Sequence, residues 1–301
     1  MSQKQRQTED QAGRLKKAPL ISILWFVLII LAGLYVRFFD LTDAPLDFHP
    51  TRQLHSLIIA RGFYYENAPG INADQRQAAE QQSIAEGRVE PAILEWLVAQ
   101  TYRIVGAESH VVARIYSIVF WMIGGFLIYV FSRKYLPWWA VLTALAFYLI
   151  LPYAVYASRS FQPDPLMSML CILAWFLVAR WIEKPEWKNA LLLGLAGGAT
   201  ILIKTTAVFY LAGVVLGIVA AHRKFKIIRN PQSWVILALF ALPTAIYSVV
   251  VWGQAQSGGV LSLRFFPSYW AKIEFYLTWF NLIDRNIGIH WLALSLLDLY
   301  R

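Results

Sequence analysis

The chain has 301 residues, 58% of them hydrophobic and only 15% charged, with a formal net charge of +9. Soluble domains are about half apolar and about a quarter charged, and the apolar excess here falls in blocks of roughly 17–22 residues, enough to cross a hydrocarbon core of ~30 Å. A soluble globular fold is therefore excluded, and so is nucleic-acid binding, because the basic residues cluster in short loops between the blocks, the pattern that orients membrane proteins.

Residues 1–18 are polar and basic (Lys4, Arg6, Arg14, Lys16, Lys17) and read as a cytoplasmic tail. The apolar run from Pro19 to Phe39 is too long for the core of a signal peptide, and no small-residue cleavage site follows it, so it reads as an uncleaved first span. Residues 40–110 form a long mixed segment, solvated around Asn72 to Arg88. Its one apolar block, residues 91–105, holds Glu95 and Arg103 and is short for a span, so it is expected to be an interfacial amphipathic helix. Further spans are expected at 111–131, 138–156, 165–182, 189–203, 206–221 and 233–252, with a partial one after 273. Gly194 and Gly198 in one span, and Gly213 and Gly217 in the next, have the spacing that lets helices approach closely. The single Cys171 lies inside an apolar block and excludes a disulfide framework or a cysteine metal site.

Charge sets the parity. With the tail inside and 91–105 not crossing, Arg133-Lys134, Arg180 to Lys188 and His222 to Arg229 all fall on the cytoplasmic side. If 91–105 crossed, the richest basic cluster would move outside, against the positive-inside rule. The fold class is thus all-α, a polytopic transmembrane bundle with a large outer first loop carrying interfacial helices.

Parity brings three groups to the outer face: Leu46 to Gln53, Ser158 to Pro165, and Ile203-Lys204-Thr205. Ionisable residues at such a boundary usually have a partner or a function. Each also has a plain structural reading. Asp47 and Asp164 are each placed to cap a following helix, Lys204 to snorkel, Arg159 to pair with Asp164, and Arg114 to snorkel or pair with a loop carboxylate. His49 and His55 lack the spacing of a metal site. Taken together, a carboxylate to accept a proton and fixed cations to steady a departing phosphate are what transfer from a lipid-phosphate donor needs. Asp47 and Asp164 supply the first, Lys204 and Arg159 the second.

These elements, in order, resemble the GT-C membrane glycosyltransferases, in particular the protein-mannosyltransferase and lipid A aminoarabinose-transferase branch. The resemblance covers about residues 20–220 and rests on Asp47 before a helix ending Ile59-Ala60-Arg61, Glu90-Pro91 opening a second interfacial helix, Gly106 with downstream Arg114, Arg159 to Asp164, and Leu202-Ile203-Lys204 after a glycine-rich span. It implies an inverting transfer from a polyprenyl- or dolichyl-phosphate sugar to a protein, lipid or glycan acceptor on the periplasmic, extracellular or lumenal face. Asp47 would act at the acceptor or in arranging the site, Lys204 on the lipid phosphate, and Asp164 as a supporting carboxylate. His49, Arg52 and Arg114 are further site candidates. No metal ligand set is read from the residues, and the resemblance leaves a divalent cation open. The sequence departs from the family at Phe48-His49, where many members carry a second acid, and at Val89-Glu90-Pro91, so Glu90 becomes a candidate for the missing carboxylate. The expected organisation is a tail at 1–18, a transferase module at 19–260 with its outer loop at 40–110, and a further loop and partial span at 261–301. Members of the family run longer, so the chain is expected to be an N-terminal part. The reading from another class is a transporter or scaffold, which would place charges or broken helices at mid-membrane.

Overall fold

A computed structural model of the chain describes residues 19–88, 90–221, 227, 229–254, 267–286 and 288–290. The basic tail 1–18, most of the basic stretch 222–229, and all of 255–266 and 291–301 lie outside the described residues. The helices are α1 (Leu20–Phe38), α2 (Pro50–Asn67), α3 (Ala73–Glu86), α4 (Ile93–Val105), α5 (His110–Ser132), α6 (Trp138–Ile150), α7 (Pro152–Arg159), α8 (Asp164–Glu183), α9 (Trp187–Ile203), α10 (Ala207–Ala221), α11 (Pro231–Gln254) and α12 (Ile273–Asn286). No strand occurs among the described residues.

Among the described residues, four stretches are long and apolar enough to cross a membrane: α1, α5, α8 and residues 231–250 of α11. A bent pair, α6 and α7, makes a fifth. Helices α9 and α10, expected as spans, are apolar but have 17 and 15 residues, about 25 and 22 Å at the rise of an α-helix. Many large apolar side chains stay exposed along the spans, such as Leu24, Leu28 and Leu31 of α1; a bilayer covers such a surface, whereas water would not. An apolar groove runs between α1 and α5, from Phe26 and Phe126 to Phe38 and Ile115.

The span expected at 138–156 is broken, with a bend of 57° between α6 and α7. Proline at 152 has no N–H to give the Tyr148 carbonyl and disfavours helical geometry at Leu151, which is extended at φ −53°, ψ 128°. A carbonyl left bare in a membrane costs several kcal/mol, and side chains from neighbouring spans fill the gap. Trp121 Nε1 donates to the Tyr148 oxygen at 3.2 Å, and Arg37 Nη1 to the Leu149 oxygen at 2.7 Å. Arg37, fully buried, also donates to Gly33 O and to Ser158 Oγ, both at 2.7 Å. The break is a corner closed by protein, not a set of free dipoles facing a substrate path.

The first loop folds on the start of α5. Helix α4 has 13 residues, about 20 Å, short of the ~30 Å hydrocarbon thickness. It buries Leu94, Glu95, Val98, Ala99 and Tyr102, one helical stripe, against Ala60 and Tyr64 of α2 and Ala113 of α5. Gly106 ends it at φ 79°, a left-handed cap that glycine adopts without steric cost.

Of the two glycine pairs, one packs. A Cβ at Gly198 of α9 would run into the Leu239 carbonyl oxygen of α11, and one at Gly197 into the Phe240 ring, whereas Gly213 and Gly217 have nothing within 4 Å. Among the described residues, only the α9 pair of these two thus meets a neighbouring helix closely. Residues from Ser248 onward form a separate unit. There, α12 is 14 residues long; it carries Ile273, Tyr276, Leu277 and Phe280 on one side and Glu274, Thr278, Asn281 and Arg285 on the other.

Candidate active site

The three groups expected on one face meet at one end of the bundle. Asp47 sits in the loop between α1 and α2, but it caps no helix. The residue before α2 is His49, held left-handed at φ 47°, with no side-chain cap bond. Instead, the Asp47 carboxylate is clamped. Arg159, at the end of α7, donates Nε and Nη2 to Oδ2 at 2.9 and 2.7 Å. Arg114 Nη2 and Gln53 Nε2 reach Oδ1 at 3.2 and 3.3 Å. Burial alone would raise the Asp47 carboxyl, but the hydrogen bonds from Arg159 and Gln53 and the charges of Arg114 and Arg159 outweigh it and hold it below the usual carboxylate value.

The clamp also fixes the loop. Arg114 is 1% exposed and donates to the carbonyls of Asp40, Leu41, Asp43 and Ala44. Arg159 Nη1 donates to Phe39 O at 2.6 Å. The Phe161 N–H donates to Gln53 Oε1 at 3.2 Å, tying the second loop to α2. Arg159 thus pairs with Asp47 rather than with Asp164: the bend at Pro152 aims α7 at the first loop.

Asp164 opens α8 and takes both its hydrogen bonds from Lys204, at 2.7 and 2.8 Å to its two oxygens. Lys204 follows α9 in extended geometry, so it is paired across two helices. This pair is the more open one: its side chains are 27% and 33% exposed, against 8% for Arg159 and 1% for Arg114. Tyr153 lies between the first loop and Asp164. Its ring meets Phe48 edge-on at 5.5 Å, and its hydroxyl lies within electrostatic reach of Asp164 and Tyr210.

Glu90 is held by Arg52 in a further ion pair. Arg52, His55, Glu90, Glu95, Pro163 and Ile203 line a small recess, and the last two adjoin Asp164 and Lys204 in the chain. Glu95 is 7% exposed and accepts from Ser56 Oγ at 2.7 Å. Burial raises its carboxyl above the usual value, against the Ser56 hydrogen bond and the nearby charges of Arg52 and His55. Sequence reasoning noted Glu95 only as a reason that 91–105 does not cross. Its place on the buried stripe of α4, beside Leu94 and Val98, was the available sign of more. Among the described residues, no group of three His, Cys, Asp or Glu side chains is placed to hold a metal ion.

Residues 89–252, more than half of the chain, match the family of dolichyl-phosphate-mannose-protein mannosyltransferases. The chain belongs to that family. It is an integral, multi-pass membrane protein of a glycosyltransferase family, and its bundle is all-α. Comparisons with curated proteins and with solved structures find no match. The part that matches the mannosyltransferase family holds Glu90, Glu95, Arg114, Arg159, Asp164 and Lys204; Asp47, His49 and Arg52 precede it.

Proposed function

We propose that this member of the mannosyltransferase family moves a sugar from a polyprenyl- or dolichyl-phosphate donor to an acceptor hydroxyl on the non-cytoplasmic face, with inversion at the sugar carbon. The observation that carries the reading is the Lys204–Asp164 pair, partly exposed and next in the chain to Pro163 and Ile203, which line the recess. Lys204 is the cation for the lipid phosphate. The Lys204 ammonium gives two hydrogen bonds to Asp164 and keeps a third proton for an oxygen of the monoanionic phosphodiester, and a charge-assisted contact in a partly dry site is strong. As the acceptor oxygen bonds to the sugar carbon, the bond from that carbon to phosphate oxygen breaks on the opposite side. The lipid phosphate leaves with the electron pair, next to Lys204.

In this reading the other candidates take supporting roles. Asp47 arranges the site: with four hydrogen bonds from Arg159, Arg114 and Gln53, it is a poor proton acceptor and a good fastener. Arg159 positions Asp47, Arg114 holds the first loop, and Arg52 holds Glu90, with His49 turning the chain into α2. Asp164 stays paired with Lys204 and aims its ammonium. The apolar groove between α1 and α5 offers a polyprenyl chain a surface. The sidedness rests on the parity of the basic loops. Incubating the protein in lipid with labelled polyprenyl-phosphate mannose, glucose and aminoarabinose, and with nucleotide sugars as the contrast, tests the donor class. Label should move from a lipid-phosphate donor alone; transfer from a nucleotide sugar would refute the proposal.

A further inference from the structure

Transfer of this kind needs a group to take the acceptor's proton, and the carboxyls at this end are not equivalent. Asp47 is bound by two guanidinium groups, Glu90 by Arg52 and Asp164 by Lys204. A carboxylate whose lone pairs are spent on cations is a weak base. Of these four carboxyls, Glu95 alone makes no ion pair. Its hydrogen-bond partner is a neutral hydroxyl, Ser56 Oγ.

The position of Glu95 fits the task as well as its chemistry. It lines the recess with Glu90, Pro163 and Ile203, and the last two adjoin Asp164 and Lys204 in the chain. A hydroxyl seated there lies beside the proposed phosphate site. The phenol of Tyr247, on α11, is close enough to Glu90 and Glu95 for their charges to bear on it, and its oxygen is buried with no hydrogen-bond partner. Buried polar atoms without partners are rare and call for an explanation; a ligand oxygen near Glu90 and Glu95 would supply the missing bond.

We infer that Glu95 is the general base, taking the proton of an acceptor hydroxyl seated in the recess between α2, α4 and the 160–164 loop. The proton passes from the acceptor oxygen to the Glu95 carboxylate as that oxygen bonds to the sugar carbon and the lipid phosphate departs. The inference rests on the proposed donor class. The groups facing Glu95 are Arg52, His55 and Ser56 from α2, Glu90 from the preceding loop and Tyr247 from α11. Burial lifts the Glu95 carboxyl toward the range where a base works near neutral pH. Activity therefore rises as pH rises through its value. The Ser56 hydrogen bond favours the charged form, so removing it moves that limb to higher pH.

The test uses the full chain in lipid nanodiscs, with polyprenyl-phosphate [³H]mannose as the probe, and reads label released from the lipid alongside donor binding. Glu95→Gln keeps the shape and can still accept from Ser56. It should lower turnover about 10²–10⁴-fold, the contribution typical of a general base, with donor affinity unchanged. Ser56→Ala should keep turnover at high pH and displace the rising limb upward. Wild-type release with undiminished release by Glu95→Gln would overturn the assignment and leave the donor reading standing. A limb unmoved in Ser56→Ala would overturn it as well.

Discussion

Asp47→Asn separates two accounts of the first-loop carboxylate. If Asp47 were an N-cap, asparagine would serve as well, since the two are comparable caps. The structure instead makes it the shared anion of Arg159 and Arg114, whose side chains are 8% and 1% exposed. Removing one partner of a buried ion pair costs about 3–5 kcal/mol. Two features reduce that figure here. The Asp47 side chain is 20% exposed, and Arg114 keeps its four backbone carbonyls. A loss of about 2–3 kcal/mol is therefore expected, most of it on Arg159. That is roughly a 30- to 150-fold shift in the folded ratio, read as a drop of about 5–10 °C in thermal unfolding in detergent.

The pH dependence has a definite sign. Asp47 is held below its usual value, so its contribution is present above the unfolded value of about 3.9 and fades as pH falls through the lower folded one. The gap between wild type and Asp47→Asn should thus stay constant from neutral pH to about pH 5 and close only below about 4. Arg159→Gln should add little to Asp47→Asn in the double variant, because both remove the same contact. A melting point for Asp47→Asn within about 1 °C of wild type, or equal losses summed in the double variant, would refute the clamp.

Gly198→Ala should destabilise the α9–α11 contact by about 1–3 kcal/mol, because its Cβ meets backbone that cannot rotate away, while Gly213→Ala should be neutral or slightly stabilising; parallel detergent melts decide it. For Glu95 the sign is opposite to that of Asp47. Its folded value is raised, so stability is full below the unfolded value of about 4.3 and falls as pH rises through the folded one. Glu95→Gln, permanently neutral, should match wild type near pH 4 and exceed it at pH 8; the same melts in both buffers check this. On sidedness, cysteines placed at Asp74 and Ser109 should both label with an impermeant thiol reagent in intact cells, since 40–110 is proposed to stay outside and the native Cys171 is buried; labelling at Asp74 alone would invert every later loop.

The long apolar blocks made the spans legible, because only a lipid-facing helix explains some twenty apolar residues in a row. The short, charged 91–105 was legible as a helix that stays out of the span set. Partner choice was not legible. Arg159 lies five residues from Asp164 in sequence, and the local pairing looks natural until Pro152 bends the helix and sends Arg159 to a loop more than a hundred residues earlier. Pro152 was in plain sight, but whether a proline kinks or ends a membrane helix depends on who satisfies the freed carbonyls, here Arg37 and Trp121. Gly213-Val-Val-Leu-Gly217 shows the converse: the spacing is right, yet no neighbour approaches. Of the site, Asp47, Arg159, Asp164 and Lys204 stood out because charge is costly at a membrane boundary. Glu95 did not, because an amphipathic helix usually turns its acids to water.

Equilibrium binding of labelled polyprenyl-phosphate mannose to the protein in nanodiscs, wild type beside Lys204→Ala, tests the phosphate site most directly. Losing one charge-assisted contact removes about 1.5–3 kcal/mol, so Lys204→Ala should weaken donor binding roughly 10- to 150-fold. Its thermal stability should change little, since the Asp164 carboxylate left behind is 33% exposed and remains hydrated. Equal donor affinity in the two proteins would contradict the assignment of Lys204 to the lipid phosphate.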